Sequence, residues 1–318
     1  MPEWLIERGI GETRCALVED GEIVEARISL EGAIPAKSII SVHLASTGTN
    51  GRNAVATDER GTEYLLPRGS PGTTEGAMLN IEVAREAIPG NEPWKRPLAK
   101  VSHEPVREGG PIEGRRLAFP APQDALGAAG WADLIEQARS GIVSLAGGEL
   151  RISPTSAMTL IDVDGYLEPQ ELAVRGAAAA AQTIRRLDIG GSIGIDLPTT
   201  SGRSARQAAA EAIDEHLPQP FERTAVNGFG FVQIVRPRQR ASLVELALDR
   251  ASFEARALLR RAALDRPGAK RLVAHPAVIA ILEGRPDWLD ALARQVGGDV
   301  GLRADASLPM SGAYAEQA

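Results

Sequence analysis

The sequence predicts an α+β chain of several domains, with a β-barrel near its N-terminus and layered α/β segments after it. Between residues 36 and 103, short apolar runs alternate with Gly, Asn, Thr and Pro, which is typical of a small barrel of about five strands, of the OB type. Over residues 123–241 the pattern changes to alternating strands and helices, which indicates an α/β layer. Residues 242–318 contain two helical patterns and short apolar runs, which predict a small C-terminal α/β domain.

The first strands of the chain belong with the barrel in a predicted N-terminal segment, residues 1–103. Apolar runs within residues 3–30 predict two short strands, and the Asp20-Gly21 pair between them is a typical hairpin turn. Residues 104–122 are rich in Pro, Gly and charge, which is the composition of a linker. We therefore expect the barrel segment to be followed by a linker that leads into the central segment.

The central segment, residues 123–241, has the clearest periodicity. A helical pattern near 123–139 precedes two strands, GELRISP and SAMTLIDVD, which we expect to pair as a hairpin with the second strand buried. An alanine-rich helix over 169–187 begins with Pro169 and leads to the buried strand GGSIGIDLP. A helix over 203–217 and the strand GFGFVQIVRP complete the segment.

The last segment, residues 242–318, continues the mixture of helices and strands. Helical patterns near 242–264 and 276–296 predict two helices. Short apolar runs around RLVAHP and DVGLRAD predict strands that flank the second helix.

The composition is that of an ordinary globular protein and argues against several classes of protein. Of 318 residues, 43% are hydrophobic and 24% are charged. The apolar runs fall short of the roughly 18 residues that span a bilayer, and the charged N-terminus lacks the apolar stretch of a signal peptide. We therefore expect a cytoplasmic protein without a membrane partner. The single cysteine, Cys15, and four scattered histidines argue against a disulfide or a zinc site.

The net charge of −7 argues mildly against a protein that coats nucleic acid, because affinity for phosphate comes from Lys and Arg. The densest basic cluster is Arg236, Arg238 and Arg240, in VRPRQRAS. Two alternatives stay open for this cluster: it binds RNA phosphates, or it is a solvated strand end. Two also stay open for Tyr64 in EYLLP, which stacks on a base or packs in the barrel core.

Two aspartates at the ends of predicted buried strands are the candidate catalytic residues. Asp162 follows MTLI and Asp196 follows SIGI, and neighbouring strands would bring both carboxylates to one sheet edge, where ligands bind in open sheets. Close carboxylates repel each other, so a hard divalent cation such as Mg²⁺ offsets their charge and can act on a phosphodiester. Asp164 would project from the same face and hold a metal-bound water. The alternative for each aspartate is a turn or helix cap.

The segments around both aspartates resemble ribonuclease E/G proteins. LAGGELRISPTSAMTLIDVDG is similar to the family's Gly-Gly hairpin that leads into its first catalytic Asp, here Asp162. RRLDIGGSIGIDLPTT is similar to the family's second signature, whose first Asp falls on Asp196. NGFGFVQIVRPRQRASL resembles its Arg-Gln-Arg segment, at Arg238, Gln239 and Arg240. A less specific likeness at WLIERGIGETRCALVEDGEIVE and EGAMLNIEVAREAIPGNEPWKRPLAK extends the resemblance over nearly the whole chain.

The resemblance implies an endoribonuclease that uses Mg²⁺ (with Mn²⁺ as an alternative and no zinc). Its substrate would be single-stranded RNA in RNA processing, including rRNA processing, or in decay, and its products would carry 5′-phosphate and 3′-hydroxyl ends. A deoxyribonuclease I-like fold is implied for residues 123–241. Asp162 and Asp196 would be catalytic and bind the metal, with Asp164 assisting. The expected RNA-binding residues are Arg236, Arg238, Arg240, Lys95, Arg96 and Tyr64.

The chain departs from the family pattern at several places. Too few residues separate the barrel from the first aspartate to hold the family's ribonuclease H-like domain, so we expect no sensing of an RNA 5′-monophosphate. The Cys-Pro-x-Cys link is missing after the Arg-Gln-Arg segment, so no zinc-linked dimer is expected, and the oligomeric state stays open. Arg175 and Thr199 stand where the family has Glu and Asp, Asp164 replaces Asn, and Val55 and Leu65 fall near its barrel Phe positions.

Two other functions stay open beside the ribonuclease. A non-catalytic RNA-binding relative that acts as an RNA-processing accessory factor is favoured by the acidic balance, Thr199 and Arg175. A metal-dependent phosphodiesterase acting on a small nucleotide is the second alternative, because the family's long-RNA sensor is not found. The two retained aspartates favour ribonuclease chemistry over both.

Overall fold

The computed structural model of the protein describes residues 1–90, 95–110 and 112–318. Its contacts divide the chain into two compact units, each built from segments that are distant in sequence. Within these ranges, every helix is too short or too polar to span a bilayer. The first unit consists of Met1–Glu31, Glu113–Arg139 and Leu246–Ala318, and the second unit consists of Gly32–Ile112 and Ser140–Glu245.

Three antiparallel strands begin the chain, where the sequence predicted two. An additional turn at Gly11, with a φ of 73°, divides the first apolar stretch into two strands. The predicted hairpin turn is confirmed, because Asp20 and Gly21 both have positive φ (51° and 88°), as a two-residue type I′ turn requires. The strands are β1 (Glu3–Arg8), β2 (Glu12–Glu19) and β3 (Glu22–Leu30).

The predicted five-stranded barrel is confirmed as a closed barrel in the second unit. Its strands pair in the order β4-β5-β6-β8-β7, and small and aliphatic side chains such as Leu44, Ala56 and Ile81 fill its interior. The five strands are β4 (Ile39–Ser46), β5 (Ala54–Thr57), β6 (Glu63–Leu66), β7 (Met78–Arg85) and β8 (Leu98–Ser102).

The strand and two helices that follow the barrel belong to the first unit. A short strand within the predicted linker pairs in parallel with β1, which gives a sheet of order β3-β2-β1-β9. The predicted helix near 123–139 is interrupted at Gly130, whose φ of 96° ends the first helical turn. The elements are β9 (Arg115–Leu117), α1 (Ala125–Ala128) and α2 (Trp131–Ser140).

A six-stranded mixed sheet forms the centre of the second unit. The expected hairpin, alanine-rich helix, buried strand, second helix and final strand are all confirmed, and a short strand precedes the hairpin. The strand order is β10-β11-β12-β13-β15-β14, in which only β12 and β13 are parallel. The elements are β10 (Ile142–Leu145), β11 (Gly148–Pro154), β12 (Thr159–Gly165), α3 (Pro169–Arg186), β13 (Gly191–Asp196), α4 (Arg203–His216), β14 (Glu222–Arg223) and β15 (Phe231–Arg236).

The C-terminal elements contain four α-helices where two helices were predicted, and a short 3-10 helix, Met310–Gly312, follows them. Asp249 caps a new helix by accepting from the Ser252 N–H, and Pro286 begins another, so each predicted helix is divided. The predicted strands are confirmed and belong to a three-stranded sheet of order β17-β16-β18. The elements are α5 (Leu243–Leu246), α6 (Arg250–Leu264), β16 (Lys270–Ala274), α7 (Pro276–Glu283), α8 (Pro286–Val296), β17 (Val300–Ala304) and β18 (Tyr314–Gln317).

Candidate active site on the central sheet

Asp162 and Asp196 are register partners on β12 and β13, the two parallel neighbours of the central sheet. Paired residues on adjacent strands project from the same face, and neighbouring strands lie about 4.8 Å apart, so the two side chains stand next to each other. The expected convergence of the two aspartates depended on their strands being neighbours, and the fold fulfils that condition. The crossover that makes these strands parallel is α3.

Alternation along β12 places its acidic residues on the open face of the sheet. Ile161 and Val163 are buried, whereas Asp162 and Asp164 are exposed. The buried face packs on α3, where Gly176 allows close approach, because a β-carbon at that position would overlap Val163 Cγ1. The helix therefore covers one face of β12, and the carboxylates point away from it.

The negative charge on this face of the sheet favours the binding of a cation. The pKa of Asp162 is raised, first because its carboxylate is partly removed from water and then because Asp164 and Asp196 are negative. The backbone N–H of Val163 and the guanidinium of Arg151 act in the opposite direction without cancelling the increase. A carboxylate whose ionisation is opposed by like charges gains stability when a cation binds beside it.

The neighbouring strand β11 contributes charged residues that the sequence analysis did not single out. Arg151 lies opposite Asp162, and Glu149 lies opposite Asp164. Arg151 Nη2 also pairs with Glu149 Oε1 at 2.5 Å. The alternation in GELRIS shows that these residues share a face, but only the hairpin register shows which aspartate each one meets.

An apolar patch lies beside the acids on the other side. Phe231 of β15 is the register partner of Asp196. A β-carbon on Gly194 would lie 2.6 Å from Phe231 Cζ and 3.0 Å from Leu160 Cδ2, so the glycine makes room for both side chains. Leu160 is 37% exposed, which leaves apolar surface open to a ligand. The sequence analysis did not predict this patch. Gly194 could have indicated it, because a glycine inside a buried strand often marks a place where other groups approach the backbone closely.

Carboxylates of the same unit pair with the arginine cluster that begins at Arg236, the last residue of β15, and continues after the strand. Arg236 Nη1 and Arg240 Nη1 both bind Asp188, at 3.5 and 3.0 Å, and Arg238 pairs with Glu245. The three arginine side chains are only 15%, 17% and 29% exposed, in the order Arg236, Arg240 and Arg238. The cluster is therefore a partly buried ion-pair network, and not a solvated strand end.

Comparison with known families identifies this region. Residues 116–239 match the family model described as the Ribonuclease E/G family, and the match contains both Asp162 and Asp196. Residues 116–239 are thus a ribonuclease E/G family region. The match leaves out the barrel and the C-terminal segment, and it covers less than half of the 318 residues. No curated protein matches the chain.

This match confirms the resemblance seen in the sequence, and the family that it identifies is one of ribonucleases, whose substrate is RNA. Two positions that depart from the family pattern have local partners in the structure. Arg175 pairs with Glu171 at 2.7 Å on the exposed side of α3. The Thr199 hydroxyl donates to the Phe229 carbonyl at 3.0 Å. Neither side chain can supply the negative charge of the acidic residue that the family has at its position.

The barrel presents basic residues at its surface but not the predicted aromatic residue. Tyr64 is 1% exposed, and its hydroxyl donates to Asp58 Oδ2 at 3.1 Å. Burial, followed by the negative charge of Asp58, raises the pKa of Tyr64. Its ring is therefore part of the barrel core and has no face open to a base, which corrects its inclusion among the RNA-binding residues. Arg96, next to Lys95, is 37% exposed and pairs with Glu63 at 2.8 Å.

The carboxylates of the candidate site provide few metal ligands. Across residues 1–90, 95–110 and 112–318, no group of three or more His, Cys, Asp or Glu side chains is arranged to hold a metal ion. A cation beside Asp162 and Asp196 would thus have two carboxylates as protein ligands. Mg²⁺ commonly binds one or two carboxylates and fills its other positions with water and phosphate oxygens, so the donor set fits this ion.

Proposed function

We propose that this protein is a Mg²⁺-dependent endoribonuclease of the ribonuclease E/G family that cleaves single-stranded RNA in RNA processing or decay and leaves 5′-phosphate and 3′-hydroxyl ends. The observation that carries the proposal is the pairing of Asp162 with Asp196 on the open face of the sheet. The proposal includes an OB-type arrangement for the barrel and a deoxyribonuclease I-like arrangement for residues 123–241.

In the proposed mechanism, Asp162 and Asp196 hold the cation, and Asp164 acts through water. Support comes from the exposed carboxylates and from the raised pKa of Asp162, which reflects negative charge that a cation would neutralise. When bound, the cation supplies Lewis-acid stabilisation of the charge that develops on a phosphodiester. Arg151, opposite Asp162, adds a positive charge on the neighbouring strand.

RNA binding is proposed to use the more accessible basic residues. Lys95 and Arg96 belong to the barrel, and Arg238 is the most exposed arginine of the cluster after β15. Arg236 and Arg240 are assigned mainly to the ion-pair network, because both bind Asp188 and their side chains are the least exposed of the three arginines. With so few basic residues at the RNA, we expect a modest affinity for phosphates, which agrees with the net charge of −7.

Cleavage assays on single variants test the catalytic assignment. Asp162→Asn and Asp196→Asn should each abolish Mg²⁺-dependent cleavage of a fluorescent single-stranded RNA and keep the parent's circular dichroism. Asp133→Asn, which changes an exposed carboxylate on α2, is the matched control and should cleave like the parent. Cleavage by both site variants at the parent's rate would show that the mechanism is wrong.

A binding experiment separates the metal site from the reaction. Mn²⁺ is paramagnetic, so a spin-resonance titration reports its binding without RNA. The parent and Asp133→Asn should bind one Mn²⁺, and each site variant should bind it at least tenfold more weakly. Equal Mn²⁺ binding by the parent and both site variants would remove the metal from the proposal.

A non-catalytic RNA-binding relative is the second candidate. Arg175 and Thr199, which replace acidic residues of the family, and the internally paired arginines after β15 favour it. This candidate expects RNA binding that a chelator does not change and no cleavage with either Mg²⁺ or Mn²⁺. The cleavage assay with and without EDTA distinguishes the two functions.

A further inference from the structure

The first unit contains a cavity that the proposed ribonuclease site does not use. Its volume is about 300 Å³, which lies at the lower end of the range for small-molecule pockets. Strands β2 and β3 and helices α2 and α6 supply its walls. Ile28, Trp131, Ile135 and Phe253 form an apolar part of the lining, and charged residues form the remainder.

One of the lining residues is a buried arginine with an unused donor. Arg14 is 1% exposed, with Nε on Glu12 at 2.7 Å and Nη1 on Glu7 at 2.5 Å. Its Nη2 is buried and has no hydrogen-bond partner among the described residues. The guanidinium lies over the Phe119 ring at 5.4 Å, but a ring face is not a full substitute for an acceptor oxygen. A buried donor without an acceptor is costly, and a ligand oxygen would satisfy it.

A second arginine of the cavity lining is exposed and lacks a carboxylate partner. Arg261 Nη2 donates to the Ala313 carbonyl at 2.9 Å, and no ion pair of Arg261 is found in the described part of the chain. The other two arginines of the lining are different. Arg139 pairs with Glu254 at 2.5 Å, and Arg260 pairs with Asp124 at 2.6 Å. Free donor capacity is therefore concentrated on Arg14 and Arg261.

The acidic residues of the lining are already matched. Glu12 accepts from Arg14 and from Arg256 Nε, the latter at 3.0 Å, and Glu136 pairs with Arg139. A cationic ligand would thus find no unpaired carboxylate on the described lining. The polar groups of the lining that have no partner are N–H donors, which favour a ligand with acceptor oxygens. The apolar side chains of the lining favour a ligand that also has a hydrocarbon part.

We propose that this cavity binds a small organic anion, a carboxylate or phosphate monoester that carries an apolar ring or chain. Its oxygens accept from the free donors of Arg14 and Arg261, and its carbon body packs against Trp131, Ile135 and Phe253. The site belongs to the first unit, whereas Asp162 and Asp196 belong to the second. The proposal therefore stands independently of RNA cleavage.

Four probes distinguish the parts of the proposed ligand in calorimetric titrations of the full chain. Phenylacetate and phenyl phosphate carry both an anion and a ring, phenylacetamide carries the ring without charge, and inorganic phosphate carries charge without a ring. At least one of the two ring-bearing anions should bind, at least fivefold more tightly than phenylacetamide and inorganic phosphate. The tighter of the two identifies carboxylate or phosphate as the recognised group.

Two variants place the binding in the cavity. Arg261→Met should weaken the better anion at least fivefold, and Ile135→Trp should abolish its binding by filling the cavity. Arg294→Met removes an exposed arginine of α8 outside the lining and should bind like the parent. Circular dichroism establishes that each variant is folded.

Three results would overturn the anion site. They are the absence of binding by both ring-bearing anions at about 10 mM, equal binding of phenylacetamide, and unchanged anion binding in both folded cavity variants. Because Arg261 replacement leaves the burial of Arg14 intact, a loss of binding in Arg261→Met cannot be attributed to collapse of the buried ion pairs.

Discussion

Gly176 of α3 packs directly against Val163 of β12, with no space for a side chain between them. Val163 lies between Asp162 and Asp164 in sequence and faces the helix while they face the opposite side. The contact therefore fixes how closely the helix supports the strand that carries the candidate site.

Gly176→Ala should destabilise the protein even though alanine is the better helix former. Alanine would gain up to about 1 kcal/mol in helix propensity, but relieving the overlap with Val163 should cost about 1–3 kcal/mol. We expect a lower urea midpoint and slower RNA cleavage. Gly228→Ala, where no atom lies within 4 Å of an added β-carbon, is the control and should change neither. A more stable Gly176→Ala protein would contradict the close packing.

Asp188→Asn should show how much the ion pairs of the arginine cluster contribute to the free energy of unfolding. Asp188 ends α3 with a φ of 52°, and the Ile189 N–H bonds to the Ile184 carbonyl at 2.9 Å, which is a Schellman motif. Asparagine accepts this conformation, so the variant removes only the charge that Arg236 and Arg240 share. We expect a loss of about 1–3 kcal/mol in urea unfolding, as for buried hydrogen bonds to charged groups.

The control for Asp188→Asn is an exposed pair. Asp214, 49% exposed, binds Arg223 at 2.5 Å, and this hydrogen bond lowers the pKa of Asp214. Asp214→Asn should cost less than about 1 kcal/mol because solvent screens the pair. Equal losses in the two variants would show that the cluster after β15 is no more important than a surface pair.

Phe231→Ala should weaken RNA binding if the apolar patch beside Asp196 contacts a base. Base contacts with aromatic side chains contribute about 1–3 kcal/mol, so affinity for a short single-stranded RNA should fall by about one order of magnitude or more in fluorescence anisotropy. Mn²⁺ binding should be unchanged, because both carboxylates remain. Val235→Ala, an exposed apolar residue of the same strand, should bind RNA like the parent. Unchanged affinity in Phe231→Ala would exclude the patch from the RNA path.

Asp124→Asn should make the protein less stable at neutral pH but not in acid. Burial alone would raise the pKa of Asp124, but hydrogen bonds from Arg260 and the Gly127 N–H outweigh it and lower the pKa. The ionised form therefore stabilises the fold above the unfolded pKa of about 3.9, and this contribution is lost as pH falls through the lower folded value. Asparagine can still accept from Gly127, so only the charge is removed.

Urea unfolding at several pH values measures this difference. At pH 7 the gap between the parent and Asp124→Asn should be about 1–2 kcal/mol, since the aspartate is 29% exposed and its arginine partner 10%. The gap should stay constant down to about pH 5 and shrink below about pH 4. A gap that does not depend on pH would mean that the ion pair with Arg260 is not its cause.

Local patterns in the sequence predicted much of the secondary structure. The Asp20-Gly21 turn, the helix that begins at Pro169 and the five barrel strands follow from turn chemistry and from periodicity, both of which act between residues close in the chain. The same patterns predicted that Asp162 and Asp196 end buried strands. This is confirmed for Asp196, the last residue of β13, but Asp162 lies in the middle of β12, which continues to Gly165. The divided C-terminal helices were missed, because a cap such as Asp249 is weak beside a continuous helical pattern.

The sequence alone thus determined most of the strands and helices and the presence of acidic residues after apolar runs, since neighbours along the chain decide these features. Tertiary structure decided which distant residues meet. Arg151 and Phe231 became neighbours of the two aspartates through strand register, and Tyr64 became a core residue through closure of the barrel. Residues 113–139 and 246–318 joined the first strands in one unit for the same reason, because burial and ion pairing depend on partners that no local pattern identifies.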